Sequence, residues 1–176
     1  GSTSSEDSNY LEGVSIAAEG AILWRVGGET GEDEPSLAGS YFLGPPLPYQ
    51  GDLYALVDIK GETKLVVLDA ATGRLQWMQQ LVHSTTLPLR YDPERKSQAL
   101  SPTIAEGIIL CPTGVGALAA VDMLSRSLRW GAAYPNNRAS DNNTFRNRGA
   151  FGYGNDFSPL DRRWCEPAVI AQDGVV

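Results

Sequence analysis

Apolar and polar residues along this chain follow the short period of β-strands, and no segment has the period of a long amphipathic helix. The segments Asp52–Val57 and Lys64–Leu68 are short and mostly apolar. They flank Lys60-Gly61-Glu62, which is typical of the tight turn of a β-hairpin. A shorter inner strand is predicted just before them, at Pro46–Gln50. The pattern therefore predicts a small antiparallel sheet.

A second unit of the same kind follows. Gly107–Cys111 and Ala117–Val121 flank the turn-like segment Thr113–Gly116. A short inner strand is predicted at Pro102–Glu106, and a proline is tolerated at the first residue of a strand because its missing N–H need not join the ladder. The sheet predicted for the first unit is therefore repeated further along the chain.

Tryptophan and aspartate recur at a fixed interval. Trp24, Trp77 and Trp130 are 53 residues apart, as are Asp69 and Asp122. Repeats of about 40–50 residues that contain several short strands are the sequence signature of β-propeller blades. We therefore predict an all-β fold of four-stranded antiparallel blades. The structural repeat motif comprises Gly20, Trp24, Asp69, Thr72, Gly73, Trp77, Asp122 and Trp130.

The motif has a physical meaning as a strand, a tight turn and a second strand. Asp69 can accept hydrogen bonds from the N–H groups of the turn that follows it, and Thr72 can do so more weakly. Gly73 supplies a positive φ without steric cost. The next copy has Arg126 in place of this glycine, so its turn must either differ in type or tolerate strain there. The ring of each tryptophan is expected to pack between neighbouring blades, with Trp77 and Trp130 largely buried.

The motif Leu68-Asp69-Ala70-Ala71-Thr72-Gly73 with Trp77, its weaker copy ending at Trp130, and the opening Ser101–Gly107 resemble the repeats of pyrroloquinoline-quinone (PQQ)-binding-like propeller proteins. That family includes quinoprotein dehydrogenases and the assembly factor of the bacterial outer-membrane insertion machinery. The blades look most similar to large exported propellers of planctomycete-type bacteria. The resemblance implies a periplasmic or otherwise exported protein.

The repeat also predicts how the chain is divided. Residues 13–176 form a partial propeller with blade ends near 26, 80 and 133 and a new blade starting near 166. Only two blades are whole, so the chain is expected to be a fragment of a longer protein or one of several chains that complete a ring. Its terminal strands are expected to pair with other polypeptide or with each other.

Charge is concentrated at one end of the chain. The net charge is −7, and residues 1–35 carry eight acidic side chains and one base. The acidic run is interpreted as a solvated arm, with residues 1–12 as its N-terminal part; the alternative is a docking surface for a basic partner. A basic stripe for nucleic acid is absent from the sequence, and no apolar stretch approaches the roughly 20 residues needed to span a bilayer.

The sequence offers little catalytic chemistry. In the family it resembles, quinoprotein dehydrogenases use carboxylate and amide calcium ligands and often a disulfide between adjacent cysteines, whereas Cys111 and Cys165 are 54 residues apart. These two cysteines are either bridged or Cys111 is an inert buried thiol. The lone His83 has no partner residues of a metal or catalytic motif. We predict no catalytic, cofactor-binding or metal-binding residues.

Residues 134–163 form the most distinctive segment outside the repeat. The segment is longer than an ordinary connection and combines asparagines, arginines and four aromatic residues. Three interpretations stay open: a cap over the propeller, a surface for a ligand or partner, and disorder. The candidate recognition residues are Arg138, Phe145, Arg146, Arg148, Tyr153 and Phe157.

Two hypotheses for the function follow. The first is a non-catalytic propeller that acts as a binding or scaffold module, whose partners are other protein chains or further blades of the same protein. The alternative is part of a PQQ-dependent oxidoreductase, and only in that case would PQQ and calcium be cofactors.

Overall fold

The computed structural model describes residues 8–83, 89–133 and 169–171. These residues form an all-β architecture of antiparallel sheets, which confirms the predicted fold class. The only regular helix among them is the short α1 (Pro93–Lys96), with 3-10 turns at Pro35–Leu37 and Leu89–Tyr91. The strands are β1 (Tyr10–Ser15), β2 (Ala21–Gly27), β3 (Gly31–Glu32), β4 (Ser40–Phe42), β5 (Leu47–Tyr49), β6 (Asp52–Ile59), β7 (Glu62–Asp69), β8 (Leu75–His83), β9 (Thr103–Ala105), β10 (Ile108–Pro112), β11 (Ala117–Asp122) and β12 (Ser127–Ala133).

The central sheet has the order β4-β6-β7-β8, and β5 also pairs with β6. Strand β6 is long enough to pair with two strands: β5 pairs with its first half and β4 with its second half. The hairpin between β6 and β7 turns at Lys60 and Gly61, with φ of 55° and 84°. Two successive positive φ angles are those of a type I′ turn, whose twist matches that of the flanking strands. The predicted hairpin is therefore present.

Two further sheets flank the central one in sequence. The later sheet has the order β12-β11-β10-β9, as expected of a four-stranded blade. The earlier sheet has the order β1-β2-β3. Strand β1 begins at Tyr10, so the assignment of residues 10–12 to the acidic arm is wrong. The side chains of β1 alternate between exposed and half-buried, and this period of two places them in the sheet.

The central sheet contributes to a hydrophobic core on each of its two faces. Alternate residues of β6 and β7 point to opposite faces, because successive side chains in a strand do so. One face packs against β10 and β11 of the next sheet. The other face packs against Trp24 and Val26 of β2. The central sheet supplies Tyr54, Leu56, Leu65 and Val67 to the first core, and Ala55, Val57, Ile59, Val66 and Leu68 to the second.

The far side of the last sheet carries a third, smaller core. Leu110, Leu118 and Ala120 are buried there, and Val169 and Ala171 pack against them. The hydroxyl of Thr103 donates to the carbonyl of Val169 at 2.6 Å. Residues 169–171 therefore lie against the face of the β9–β12 sheet.

Several predictions concern residues outside the described ranges. They include the N-terminal part of the acidic arm, the insertion at 134–163 and the start of a new blade near 166. Across the described ranges no helix is long and apolar enough to cross a membrane.

Candidate functional site

Each predicted turn is held by one aspartate. The Oδ1 of Asp69 accepts hydrogen bonds from the N–H groups of Ala71 at 3.1 Å and Thr72 at 2.8 Å, and from the Thr72 hydroxyl at 2.7 Å. The hydroxyl and backbone hydrogen bonds from Thr72 hold the pKa of Asp69 below its ordinary value. The carboxylate is therefore part of the turn itself, as the sequence predicts.

The second turn has the same hydrogen bonds with a different residue at its end. Asp122 accepts from the N–H of Ser125 at 2.8 Å and from its hydroxyl at 2.9 Å, and these bonds lower the pKa of Asp122. The N–H of Arg126 donates to the Asp122 carbonyl at 2.9 Å, as the N–H of Gly73 does to Asp69. Arg126 has a φ of 57°, so the turn keeps its type and the arginine takes the left-handed conformation.

The first tryptophan of the repeat packs onto the first of these turns. Trp24 is 5% exposed, and its indole N–H donates to the carbonyl of Ala70 at 3.2 Å. A Cβ atom added at Gly73 would lie 2.6 Å from the Trp24 ring. Glycine is therefore needed here for two reasons, since it allows both a φ of 71° and the close approach of the indole.

The second and third tryptophans are less buried than predicted. Trp77 is only half-buried, and the guanidinium of Arg126 lies 5.8 Å from the centre of its ring. Arg126 takes the place of Gly73 in this copy, so a cation–π contact replaces the close approach. Trp130 is 40% exposed. The prediction of a largely buried ring is therefore wrong for Trp130, whereas the partly buried Trp77 packs against the core between the central sheet and the later one. Of these three tryptophans, Trp24 is the most enclosed.

Carboxylates from one short segment accept hydrogen bonds from backbone N–H groups of β2, next to its pairing with β3, and of β8, the last strand of the central sheet. The N–H of Arg25 donates to Oδ2 of Asp33 at 2.8 Å, and the Asp33 N–H donates back to the Arg25 carbonyl at 3.0 Å. The N–H of Leu75 donates to Oε2 of Glu34 at 3.0 Å. These contacts occupy N–H groups that an exposed strand edge would offer to another strand.

The interpretation of residues 1–35 as a solvated acidic arm is therefore wrong at Asp33 and Glu34. Burial alone would raise the pKa of Glu34, but hydrogen bonds from Ser36 and Leu75 and the charge of Arg74 together lower it from 4.5. Sequence reasoning missed both residues, because a run of acids has the same composition whether it is solvated or caps an edge.

The outer strand β12 presents a different surface. All seven of its residues are exposed. Leu128 is 44% exposed and Trp130 40%. Arg129, exposed over 61% of its side chain, lies 3.6 Å from Asp122, and Arg126 is exposed nearby. The strand therefore has exposed apolar side chains on both faces of the sheet, with Arg129 within it, Arg126 just before it and the backbone groups of an outer edge.

A buried ion pair attaches α1 to the end of the central sheet. Arg95 is 2% exposed, and its guanidinium lies 3.1 Å from Oδ2 of Asp58 and donates to the hydroxyl of Thr63 at 2.5 Å. Asp58 and Thr63 face each other across β6 and β7. The contact with Asp58 is an ion pair rather than an aligned hydrogen bond. Lys96 lies over the ring of Tyr41, the neighbour of Asp58 on β4.

Of the remaining candidate residues, Cys111 lies within the described ranges. Cys111 is a free, buried thiol whose pKa is raised by burial, while Cys165 lies outside the described ranges. Within residues 8–83, 89–133 and 169–171 no three His, Cys, Asp or Glu side chains are grouped as a metal site. The candidate recognition residues of 134–163 also lie outside these ranges: Arg138, Phe145, Arg146, Arg148, Tyr153 and Phe157.

The chain was compared with protein-family models and with known proteins. A family model described as outer membrane protein assembly factor BamB matches residues 12–149. The crystal structure of BamB from Moraxella catarrhalis is similar over 72% of this chain and 30% of that chain, with 20% identity and a TM-score of 0.44. A europium-containing methanol dehydrogenase is similar over 71% of this chain and 21% of that chain, with 15% identity and a TM-score of 0.47. No curated protein matches the chain. The chain thus spans less than a third of the length of either solved structure.

Proposed function

Because the chain belongs to the family described as outer membrane protein assembly factor BamB, with PQQ-like propeller repeats, we propose that it is a non-catalytic scaffold that binds other proteins. The observation that carries the proposal is the exposed outer strand β12, with Leu128 and Trp130 on its surface. A scaffold for protein assembly needs a persistent surface of this kind rather than a reactive centre.

The composition of β12 suits protein contact. Tryptophan and arginine are enriched where protein interfaces have their strongest contacts. Strand edges also bind extended segments through main-chain hydrogen bonds, which give affinity without a deep pocket. Strand β12 combines these features over the seven residues Ser127–Ala133.

Three further features belong to the proposal. The protein acts in the periplasm or another exported compartment. It needs neither PQQ nor calcium for its function. The segment 134–163, with its arginines and aromatic residues, contributes a second part of the partner surface. The domain limits predicted from the repeat, including a blade start near 166, are part of the same proposal.

Site-specific photocrosslinking in the native host tests the partner surface. A benzoylphenylalanine at Leu128 is expected to crosslink to a discrete partner protein. The same group at Ile16, which is 94% exposed on the β1–β2 turn, serves as the control and is expected to give no such product. Absence of any protein crosslink at Leu128 would contradict the scaffold function.

Absorbance spectroscopy tests the alternative. The purified chain is mixed with PQQ and calcium, and unbound quinone is removed. We expect no retained quinone absorbance. A stoichiometric bound quinone would instead favour a quinoprotein oxidoreductase.

A further inference from the structure

The outer edges of the tryptophan-bearing strands differ in what covers them. In β2 the residue after the tryptophan, Arg25, has its N–H bonded to the Asp33 carboxylate at 2.8 Å. In β8 the residue two before the tryptophan, Leu75, has its N–H bonded to the Glu34 carboxylate at 3.0 Å. At two positions of the repeat, an outward N–H group thus donates to a carboxylate.

Strand β12 has residues equivalent to both of these positions in the repeat. Leu128 lies two residues before Trp130, as Leu75 lies before Trp77, and Gly131 follows Trp130 as Arg25 follows Trp24. The pairing registers agree, since β8 and β12 each have an irregularity immediately before the tryptophan, opposite Val67/Leu68 and Ala120/Val121. The N–H groups of Leu128 and Gly131 therefore point to the outer edge.

The described part of the chain brings no carboxylate to these two N–H groups. The nearest carboxylate in sequence, Asp122, is engaged with its own turn and with Arg129. A Cβ atom added at Gly131 would have one heavy atom of the described residues within 4 Å, the Leu118 carbonyl oxygen at 3.9 Å, so the face of the sheet is uncrowded at this position.

The charge around this edge is positive. Arg126 and Arg129 are both exposed beside it, whereas the equivalent positions in the central sheet are Gly73 and Gln76. Leu128 and Trp130 add exposed apolar area. Cationic side chains beside free N–H groups favour a carboxylate over a neutral acceptor, because hydrogen bonds with an ionised partner are shorter and stronger.

We propose that the outer edge of β12 binds an extended acidic segment of a partner protein, whose carboxylates accept from the N–H groups of Leu128 and Gly131. The segment supplies to one strand the two kinds of contact that Asp33 makes with β2 and Glu34 makes with β8. Its apolar residues pack on Leu128 and Trp130, and its charge is balanced by Arg126 and Arg129. This inference rests on the scaffold function and specifies the chemistry of its partner.

Nuclear magnetic resonance of the full ¹⁵N-labelled chain tests the proposal. The probe is a synthetic peptide with the sequence of residues 28–36, which contains Asp33 and Glu34 in their natural order. Saturable shifts are expected at the N–H groups of Leu128 and Gly131. A peptide with Asp33→Asn and Glu34→Gln should bind about tenfold more weakly, since it loses two ionised acceptors. Equal binding of the two peptides, or shifts confined to β2 and β8, would overturn the proposal.

Two matched protein variants test whether the positive charge beside β12 contributes to peptide binding. Arg129→Gln, which installs the residue of the central sheet, should weaken peptide binding about threefold. Lys60→Gln removes the same charge from the distant β6–β7 turn and should leave binding unchanged. If both variants have the same effect, the charge of β12 is not what attracts the segment. Crosslinking at Leu128 without peptide binding would refute the acidic segment and leave the scaffold function standing.

Discussion

At the scale of single residues, the last position of each turn determines how the preceding tryptophan packs. Gly73 lets the Trp24 ring come within van der Waals distance of the turn backbone. Arg126 fills the same position in the next copy and contacts Trp77 through its guanidinium. The sequence predicted both turns from Asp69 and Asp122, but the 53-residue interval alone could not distinguish a buried indole from an exposed one.

The difference in burial between Trp24 and Trp130 should appear as a difference in the stability lost when each is replaced by alanine. Trp24→Ala should lower the free energy of unfolding by about 3–5 kcal/mol, because a fully packed ring is lost. Trp130→Ala should cost about 1 kcal/mol or less, because this ring is 40% exposed. Urea denaturation of the two variants and the parent provides the comparison, and equal costs would contradict the burial difference.

Two alanine variants can separate the cost of crowding the Trp24 ring at Gly73 from the cost of a positive φ. Gly107→Ala should cost about 1–2 kcal/mol, because only the positive φ of 77° opposes the new Cβ. Gly73→Ala should lower the free energy of unfolding by about 1–3 kcal/mol more than Gly107→Ala does, because its Cβ also meets the Trp24 ring. Chemical melts check both values. Identical costs would show that the ring moves away freely.

Glu34 should make stability depend on pH. Its pKa is lower in the folded chain than its ordinary value of 4.5, so the ionised form is favoured by folding. The contribution is complete above pH 4.5 and is lost as the pH falls through the folded pKa. Glu34→Gln should therefore reduce the loss of stability on acidification. Urea melts between pH 6 and pH 3 test this, and Asp69 and Asp122 should leave a residual dependence.

At the scale of elements, α1 is attached to the end of the central sheet. Arg95 contacts β6 through Asp58 and β7 through Thr63, while Lys96 contacts β4 through Tyr41. One short helix thus spans three adjacent strands. A Cβ added at Gly114, on the turn after β10, would also meet the side chains of Gln98 and Leu100, so the same connection touches the next sheet.

Breaking the buried ion pair should loosen this connection. Arg95→Met should destabilise the chain by about 3–5 kcal/mol, because Asp58 keeps an uncompensated buried charge. Adding Asp58→Asn should recover much of that loss, since the amide oxygen can still accept from the Gly61 N–H. A double-mutant cycle in urea measures the coupling. If the double variant is no more stable than Arg95→Met alone, the pair is not coupled.

Sequence reasoning succeeded best for elements with a strong local pattern. The hairpins of β6–β7 and β10–β11 and the short inner strands β5 and β9 were predicted within a few residues. Strand β4 was missed, because its three residues have no period and pair only with the distant second half of β6. The Asp58–Arg95 pair was missed for a similar reason. Its partners are far apart in sequence and belong to no motif.

At the scale of the whole molecule, the central sheet joins its neighbours through a core on each face. The repeat predicted this succession of sheets, because each copy contains the same strands and turn. It could not predict that Asp33 and Glu34 accept hydrogen bonds from N–H groups of β2 and β8, since those contacts join a non-repeated segment to two repeated ones.

Shared cores should make unfolding cooperative across the sheets. Far-ultraviolet circular dichroism reports on all strands, whereas tryptophan fluorescence reports on the indoles, including the buried Trp24 and the half-buried Trp77. We expect coincident urea transitions from the two probes, because loss of the central sheet exposes both cores. Two separated transitions would show that the sheets unfold independently.

The pairing of each tryptophan with a turn further along the chain has an evolutionary consequence. Trp24 meets the turn ending at Gly73, and Trp77 meets the turn ending at Arg126. Duplication of a single ancestral unit would have produced such pairs automatically, with no new interface to invent. Deleting one such unit would instead bring Arg126 against Trp24, whose ring lies 2.6 Å from where a Cβ at Gly73 would be, so the two copies are not interchangeable without a shift of the indole.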